Sequence, residues 1–226
     1  MSSLSQDVDA VADGIVARAD QRFTDLRNDN FRRIDRMFFW LLLGQWLFGI
    51  LIAVTVSPRA WDGTEWHVHQ HVYAAIFLGL GVAGLPMTLT WLYPGRPLTR
   101  HVAAASQVLF SALLIHLTGG RIETHFHVFG SLAFIAFYRD WRPLITASVI
   151  VAADHFLRGW FWPESVYGVA SPEWWRFIEH AMWVVFIDAF LVLSCAFGVR
   201  DFRAMAEQTA QVEALAEHAI RGARPA

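Results

Sequence analysis

The chain has 226 residues, 55% hydrophobic and 17% charged, with 11 Trp, 18 Phe and a mean hydropathy of +0.36. Soluble domains run nearer about 45–50% apolar and about 25% charged, so this composition points to an integral membrane protein. A net charge of −2 excludes a broadly basic nucleic-acid binder, and a single Cys excludes a disulfide framework or a Cys-based zinc ribbon.

Residues 1–36 are polar and lack the basic start and apolar core of a secretory signal. Val8, Val11, Ile15, Ala19, Phe23 and Leu26 recur at helical spacing. The spacing predicts a cytoplasmic amphipathic helix that packs on a partner helix, lies against the membrane or stands in solvent.

Six apolar stretches follow, at 37–56, 72–93, 101–118, 122–138, 143–162 and 179–199. A span needs about 20 residues, within a range of about 17–25, so the third and fourth are short. Thr118-Gly119-Gly120-Arg121 suits a tight turn between them, and Pro86 inside the second predicts a kink. With the N-terminus inside, Arg27, Arg32, Arg33, Arg36, Arg96, Arg100, Arg139, Arg142, Arg200 and Arg203 fall on the inner side. Arg59, Arg121, Arg158 and Arg176 fall outside, a positive-inside bias that puts both termini in the cytoplasm. Every basic residue is Arg, and Trp61, Trp66, Trp160, Trp162, Trp174 and Trp175 crowd the outer loops as an interfacial belt would.

The expected fold is an all-α integral membrane protein. A six-helix transmembrane bundle at 37–199 stands between the cytoplasmic helix 1–36 and a cytoplasmic connector helix at 200–226. Met205, Gln208, Val212, Leu215 and Ala219 keep a weak heptad spacing in that connector, which suits a signal-passing coiled coil and a homodimer formed through the cytoplasmic helices, the alternative being a solvated tail.

The ten His follow the topology. His67, His69, His71, His116, His125, His127, His155 and His180 fall at the outer ends of the spans, whereas His101 and His218 are inside. Glu123, Asp154 and Glu179 share that outer layer. Ionisable groups in spans cost several kcal/mol and normally face the interior with partners. Imidazole suits zinc, copper, iron and nickel, and ligating imidazoles use carboxylates to fix their orientation. Cys195, near the inner end of the last span, supplies no thiolate there. The expected metal ligands are therefore His69, His71, His116, Glu123, His125, His127, His155 and His180, supported by Asp154, Glu179 and Arg158. Asp154 and Arg158 lie four apart on one helix, so Asp154 is also placed to be held by that Arg rather than to ligate. Eight His exceed the needs of one ion and admit a pair. A single interfacial His is more often a hydrogen-bonded structural residue, and that reading wins for His67; His101 and His218 are assigned no role.

The stretch from Ala112 to Phe129, with His116, Gly119-Gly120 and Glu123-Thr-His125-Phe-His127, resembles a His-rich multi-spanning sensor module. So does Tyr138-Arg-Asp140-Trp141-Arg142-Pro143. Such modules occur at the N-terminus of bacterial chemotaxis receptors, sensor histidine kinases and diguanylate cyclases. The family carries a His pair late in the next helix, where this chain has Asp154-His155. The resemblance implies a sensory role, with Asp140, Trp141 and Arg142 forming a cytoplasmic signalling turn. It also implies that the chain is the sensor part of a longer protein, whose output domain lies beyond it. The expected location is the bacterial inner membrane, with the His layer near the periplasmic side.

The leading expectation is a sensor whose transition metal, copper first and then iron or zinc, detects a small ligand, a redox change or a metal. The alternatives are a haem protein with two axial His, a His-rich di-iron membrane oxidoreductase and a transporter. The almost wholly apolar inner halves of the spans, with Asp188 alone as a deep acid, weigh against transport. An enzyme is the less favoured outcome.

Overall fold

A computed structural model describes residues 2–222, with side chains described for residues 11–220. The chain is almost wholly helical: α1 (Ser2–Val56), α2 (Gln70–Tyr73), α3 (Gly79–Leu92), α4 (Pro97–Leu117), α5 (Ile122–Ala136), α6 (Trp141–Phe161), α7 (Glu164–Tyr167) and α8 (Arg176–Gly222). Two features depart from the expected pattern. Arg59–Asp62 (β1) and Glu65–Val68 (β2) pair antiparallel as a short hairpin turned at Gly63, whose φ is 61°. Residues Ala74–Leu78, between α2 and α3, widen into a π-helical turn. There the Trp46 indole donates to the Ile76 carbonyl at 3.1 Å. A Cβ on Gly79 would lie 2.8 Å from Trp46 Cδ1, so the lack of a side chain lets α1 and α3 close at this level.

Five helices are long and apolar enough to cross a membrane: those within Val11–Val56, Gln70–Leu92, Pro97–Leu117, Trp141–Phe161 and Arg176–Ile220. The stretch expected at 122–138 forms α5, whose 15 residues fall short of the usual length of about 17–25. α3 continues through Pro86.

α4 is central and touches α1, α3, α5, α6 and α7. It buries 67% of its most apolar window, against 11% for α8 and 22% for α6. Small residues make this close packing possible, with Ala103 and Ala104 at 0% exposure. The outer helices carry exposed Trp40, Phe77, Trp91, Phe126, Phe186 and Phe190 on their outward faces. Exposed apolar side chains in this number suit a nonaqueous neighbour.

α1 and α8 continue past the bundle and pair antiparallel. Arg18 bonds Glu217 at 2.8 Å, and Arg22 bonds Glu213 and Arg203 bonds Asp20, each at 2.5 Å. Ala19, Ala206 and Ala210 fill the seam. Of the environments open to residues 11–36, the chain takes a partner helix of its own.

At this terminal end a buried polar lock joins the turns. Asp35 accepts from the Tyr138 hydroxyl at 2.6 Å and from Gly95 N at 2.5 Å. Arg100 donates to the Gly95 carbonyl at 3.0 Å, pairs with Asp140 at 3.3 Å and lies 3.7 Å over the Phe31 ring. Asp140 also caps α6 by accepting from Arg142 N. Arg139 sits at φ 54° and donates to the Gly198 carbonyl at 3.1 Å.

The opposite end is closed by the α4–α5 turn. Gly119 and Gly120 have φ of 69° and 74°, a region that side chains disfavour. A Cβ on Gly120 would stand 2.2 Å from Gly168 N, whereas one on Gly119 would meet nothing within 4 Å. Gly120→Ala is therefore expected to cost about 2 kcal/mol or more, because the α7 segment must back away as well. Gly119→Ala should cost only the conformational penalty of about 1 kcal/mol. Thermal unfolding of the two purified variants checks the order, and equal Tm losses would refute the docking of this turn on Gly168.

Candidate functional site

Periodicity puts the eight outer His at one end of the bundle; packing sorts them into separate groups. His125 (α5), His155 (α6) and His180 (α8) face one another, with ring centroids 5.5 Å (125–155), 5.4 Å (125–180) and 6.0 Å (155–180) apart. Each ring is fixed in the same way. The Nδ1 of His125 donates to the Arg121 carbonyl at 2.9 Å, that of His155 to Val151 at 3.1 Å and that of His180 to Arg176 at 2.8 Å. A carbonyl can only accept, so each Nδ1 carries its hydrogen and the neutral ring keeps its lone pair on Nε2. The Nε2 of His125 is buried and has no hydrogen-bond partner. The Tyr167 ring lies 5.5 Å from His180, and burial raises the Tyr167 phenol above its ordinary pKa.

A second group joins His69, His71 and His116. The rings of His69 and His71 are 4.3 Å apart, those of His71 and His116 are 4.8 Å apart, and Trp162 closes on His116 at 4.7 Å. His69 caps α2 by accepting from His71 N at 3.1 Å, and His71 Nδ1 is buried without a partner.

The two groups are connected. Arg158 grips Asp154 with two bonds, Nε to Oδ1 at 2.7 Å and Nη2 to Oδ2 at 2.6 Å. Asp154 Oδ2 lies 3.3 Å from His155 Nδ1. The third nitrogen of Arg158 donates to Ser165 Oγ at 2.9 Å, and Ser165 Oγ lies 3.0 Å from His116 Nδ1. Asp154 thus orients His155 and is itself held by Arg158.

The remaining expected residues lie elsewhere. His127 sits deeper in the bundle, its Nε2 3.1 Å from Gln45 Nε2 and its Nδ1 2.8 Å from Ser111 Oγ, so both ring nitrogens are engaged. Gln107 and Ser131 extend that polar network. Glu123 is exposed, 3.6 Å from Arg121, and Glu179 is exposed on α8. His67 is exposed in β2, His218 is exposed on α8 and His101 lies 2.8 Å from Thr146 Oγ1. At the terminal end Asp140 binds Arg100, whereas Trp141 is exposed, with Arg142 5.7 Å over its ring. Gln45, Ser111 and Ser165 lacked any pattern that would single them out, since isolated polar residues in apolar helices are recognisable only by what they face.

Among the described residues no group of three or more His, Cys, Asp or Glu side chains is arranged to hold a metal ion as the side chains stand. The residues whose chemistry best suits one are His125, His155 and His180, which offer three pinned imidazoles with Nε2 free.

The chain is 32% identical over 117 residues to transducer protein Htr8 of Halobacterium salinarum. The match takes in 50% of this chain and 18% of that protein, so the chain spans less than a fifth of the relative's length. The likeness relates half of this chain to a transducer protein. No family model matches it, and no solved structure matches it.

Arg158 and Asp154 expose 22% and 15% of their side chains, so removing one partner strands a largely buried charge. Arg158→Leu should cost about 3 kcal/mol or more, and adding Asp154→Leu should recover most of it. Unfolding midpoints of the single and double variants test this; a double variant no better than the single would refute the pairing as the source of the loss.

Proposed function

We propose that this chain is the membrane-embedded sensory module of a signalling receptor, and that His125, His155 and His180 hold a transition metal through which a small ligand, a redox change or a metal is detected. The observation that carries the reading is the shared geometry of these three rings: Nδ1 tied to the ring's own helix and Nε2 free, on three different helices. Ligating His normally donates its other nitrogen to a carbonyl or carboxylate in this way. The three ring centroids stand 5.4–6.0 Å apart, so metal–nitrogen bonds of about 2.0–2.1 Å require the rings to move together. Three neutral nitrogens without thiolate fit copper first, then iron or zinc. His71 and His116 are the candidate ligands for a second ion, coupled to the first through Ser165 and Arg158, and His69 joins them only by giving up its cap bond to His71 N.

In this reading the bundle spans the bacterial inner membrane six times, with α5 as a short span. Both termini are cytoplasmic and the histidine end is periplasmic. Metal-linked changes shift α6 against α8, and α8 carries the shift out of the bundle toward an output domain in a longer protein. Met205, Val212 and Leu215 are exposed and face away from α1, which suits a homodimer through the cytoplasmic helices. The partial likeness to a transducer supports the signalling role, and no catalytic activity is assigned.

Elemental analysis and a visible spectrum of the purified chain test the proposal. Wild type should carry about one copper, iron or zinc per histidine group. His125→Ala, His155→Ala or His180→Ala should each remove one equivalent, an effect well above the 10–100-fold expected from losing a supporting residue. His127→Ala should leave the content unchanged. Metal at background level refutes the metal site, and an intense Soret band replaces it with haem.

A further inference from the structure

Next to the first histidine group, α5, α6 and α8 border a half-open cavity of about 660 Å³. Ligand pockets typically occupy about 300–1,000 Å³ and are apolar apart from a few placed polar groups. This one has that character. Its walls are Phe129, Val151, Phe177, Val184 and Ile187, and exposed Phe126, Trp183 and Phe186 form a rim on the outward, apolar surface of the bundle. The cavity is polar only at its two ends. One end is the group His125, His155 and His180, with Glu179 beside it. The other is Asp188, whose Oδ2 accepts from the Ser148 hydroxyl at 2.5 Å while Oδ1 is buried with no hydrogen-bond partner. His180 and Asp188 are eight residues apart on one helix, a rise of about 12 Å.

We infer that this cavity binds a lipid-soluble, ring-bearing small molecule with a hydroxyl at one end. The hydroxyl donates to Asp188 Oδ1, and the ring body lies along α8 toward His180. Two observations select this chemistry. An orphaned carboxyl oxygen inside a membrane-type bundle is costly and gains most from a donor that arrives with the ligand. Five aromatic side chains, Phe126, Phe129, Phe177, Trp183 and Phe186, offer faces and edges to a flat ring. The rim opens through the apolar surface rather than through a polar loop, so the ligand enters from the hydrocarbon phase. Once bound it occupies the seam between α6 and α8. The inference deepens the sensory reading by naming a ligand class, and it needs no metal at the histidines.

The test uses the full chain in nanodiscs with tritiated 1-naphthol and its hydroxyl-free counterpart 1-methylnaphthalene, empty nanodiscs being subtracted. Wild type should bind one naphthol saturably and at least about tenfold more tightly than methylnaphthalene, the usual worth of a hydrogen bond to a charged or buried carboxyl. Asp188→Leu should bring naphthol down to the methylnaphthalene level, Asp188→Asn should retain naphthol within about threefold, and Val184→Trp should exclude both. Naphthol binding that does not saturate, equal affinity for the two probes in wild type, or indifference to Asp188→Leu overturns the proposal. The comparison of probes on wild type stands even where a variant does not fold. Metal content of the same preparations separates the two readings. A metal-free chain that selects naphthol loses only the metal site, and a metal-bearing chain that does not select it loses only this one.

Discussion

The buried pair of Arg158 and Asp154 connects the two histidine groups. Removing two charges from water costs several kcal/mol per ion, which is offset only by close geometry and by using the remaining donors and acceptors. Here the guanidinium makes two short bonds to the carboxylate and spends a third on Ser165. The carboxylate in turn approaches His155 Nδ1. Ser165 brings in α7 and, through His116, α4. This run of bonds therefore ties α4, α6 and α7 together and links His155 of one histidine group to His116 of the other.

That placement needs close backbone contact, which the glycines provide. Gly120 and Gly168 meet at a distance that leaves no room for a side chain, so the α4–α5 turn seals over α7. Along the bundle, Gly79 lets Trp46 bring α1 against α3. At the terminal end a second polar layer does the corresponding work: Asp35, Tyr138, Gly95, Arg100 and Asp140 join the body of α1 to the starts of α4 and α6 and the turns beside them. The bundle is thus pinned by polar contacts at both ends and packed by apolar side chains between them. α8 reaches from the histidine group to the pairing with α1, so one rigid element links a site to the opposite end.

Periodicity, run length and the Gly-Gly turn located the helices, including the tight α4–α5 connection. The hairpin of β1 and β2 was not legible, because its two four-residue strands, Arg-Ala-Trp-Asp and Glu-Trp-His-Val, carry little pattern. The widened turn before α3 depends on Trp46, which is 30 residues away. Arg158 as the holder of Asp154 was legible, since four-residue spacing on a helix brings side chains together. Glu123 and His127 have the same four-residue spacing. They share a helix, but Glu123 lies in the exposed first turn of α5 while His127 turns inward to Gln45 and Ser111.

The sequence by itself determined that this is a helical protein with membrane-type helices and that its histidines gather at one end. Both are properties of composition and of position along a helix of known rise. Only the tertiary structure decided that the eight outer His divide into two groups of three, with His127 set in a separate polar network and His67 left exposed. Which rings meet depends on the rotation and lateral packing of helices distant in sequence, and no one-dimensional periodicity records those.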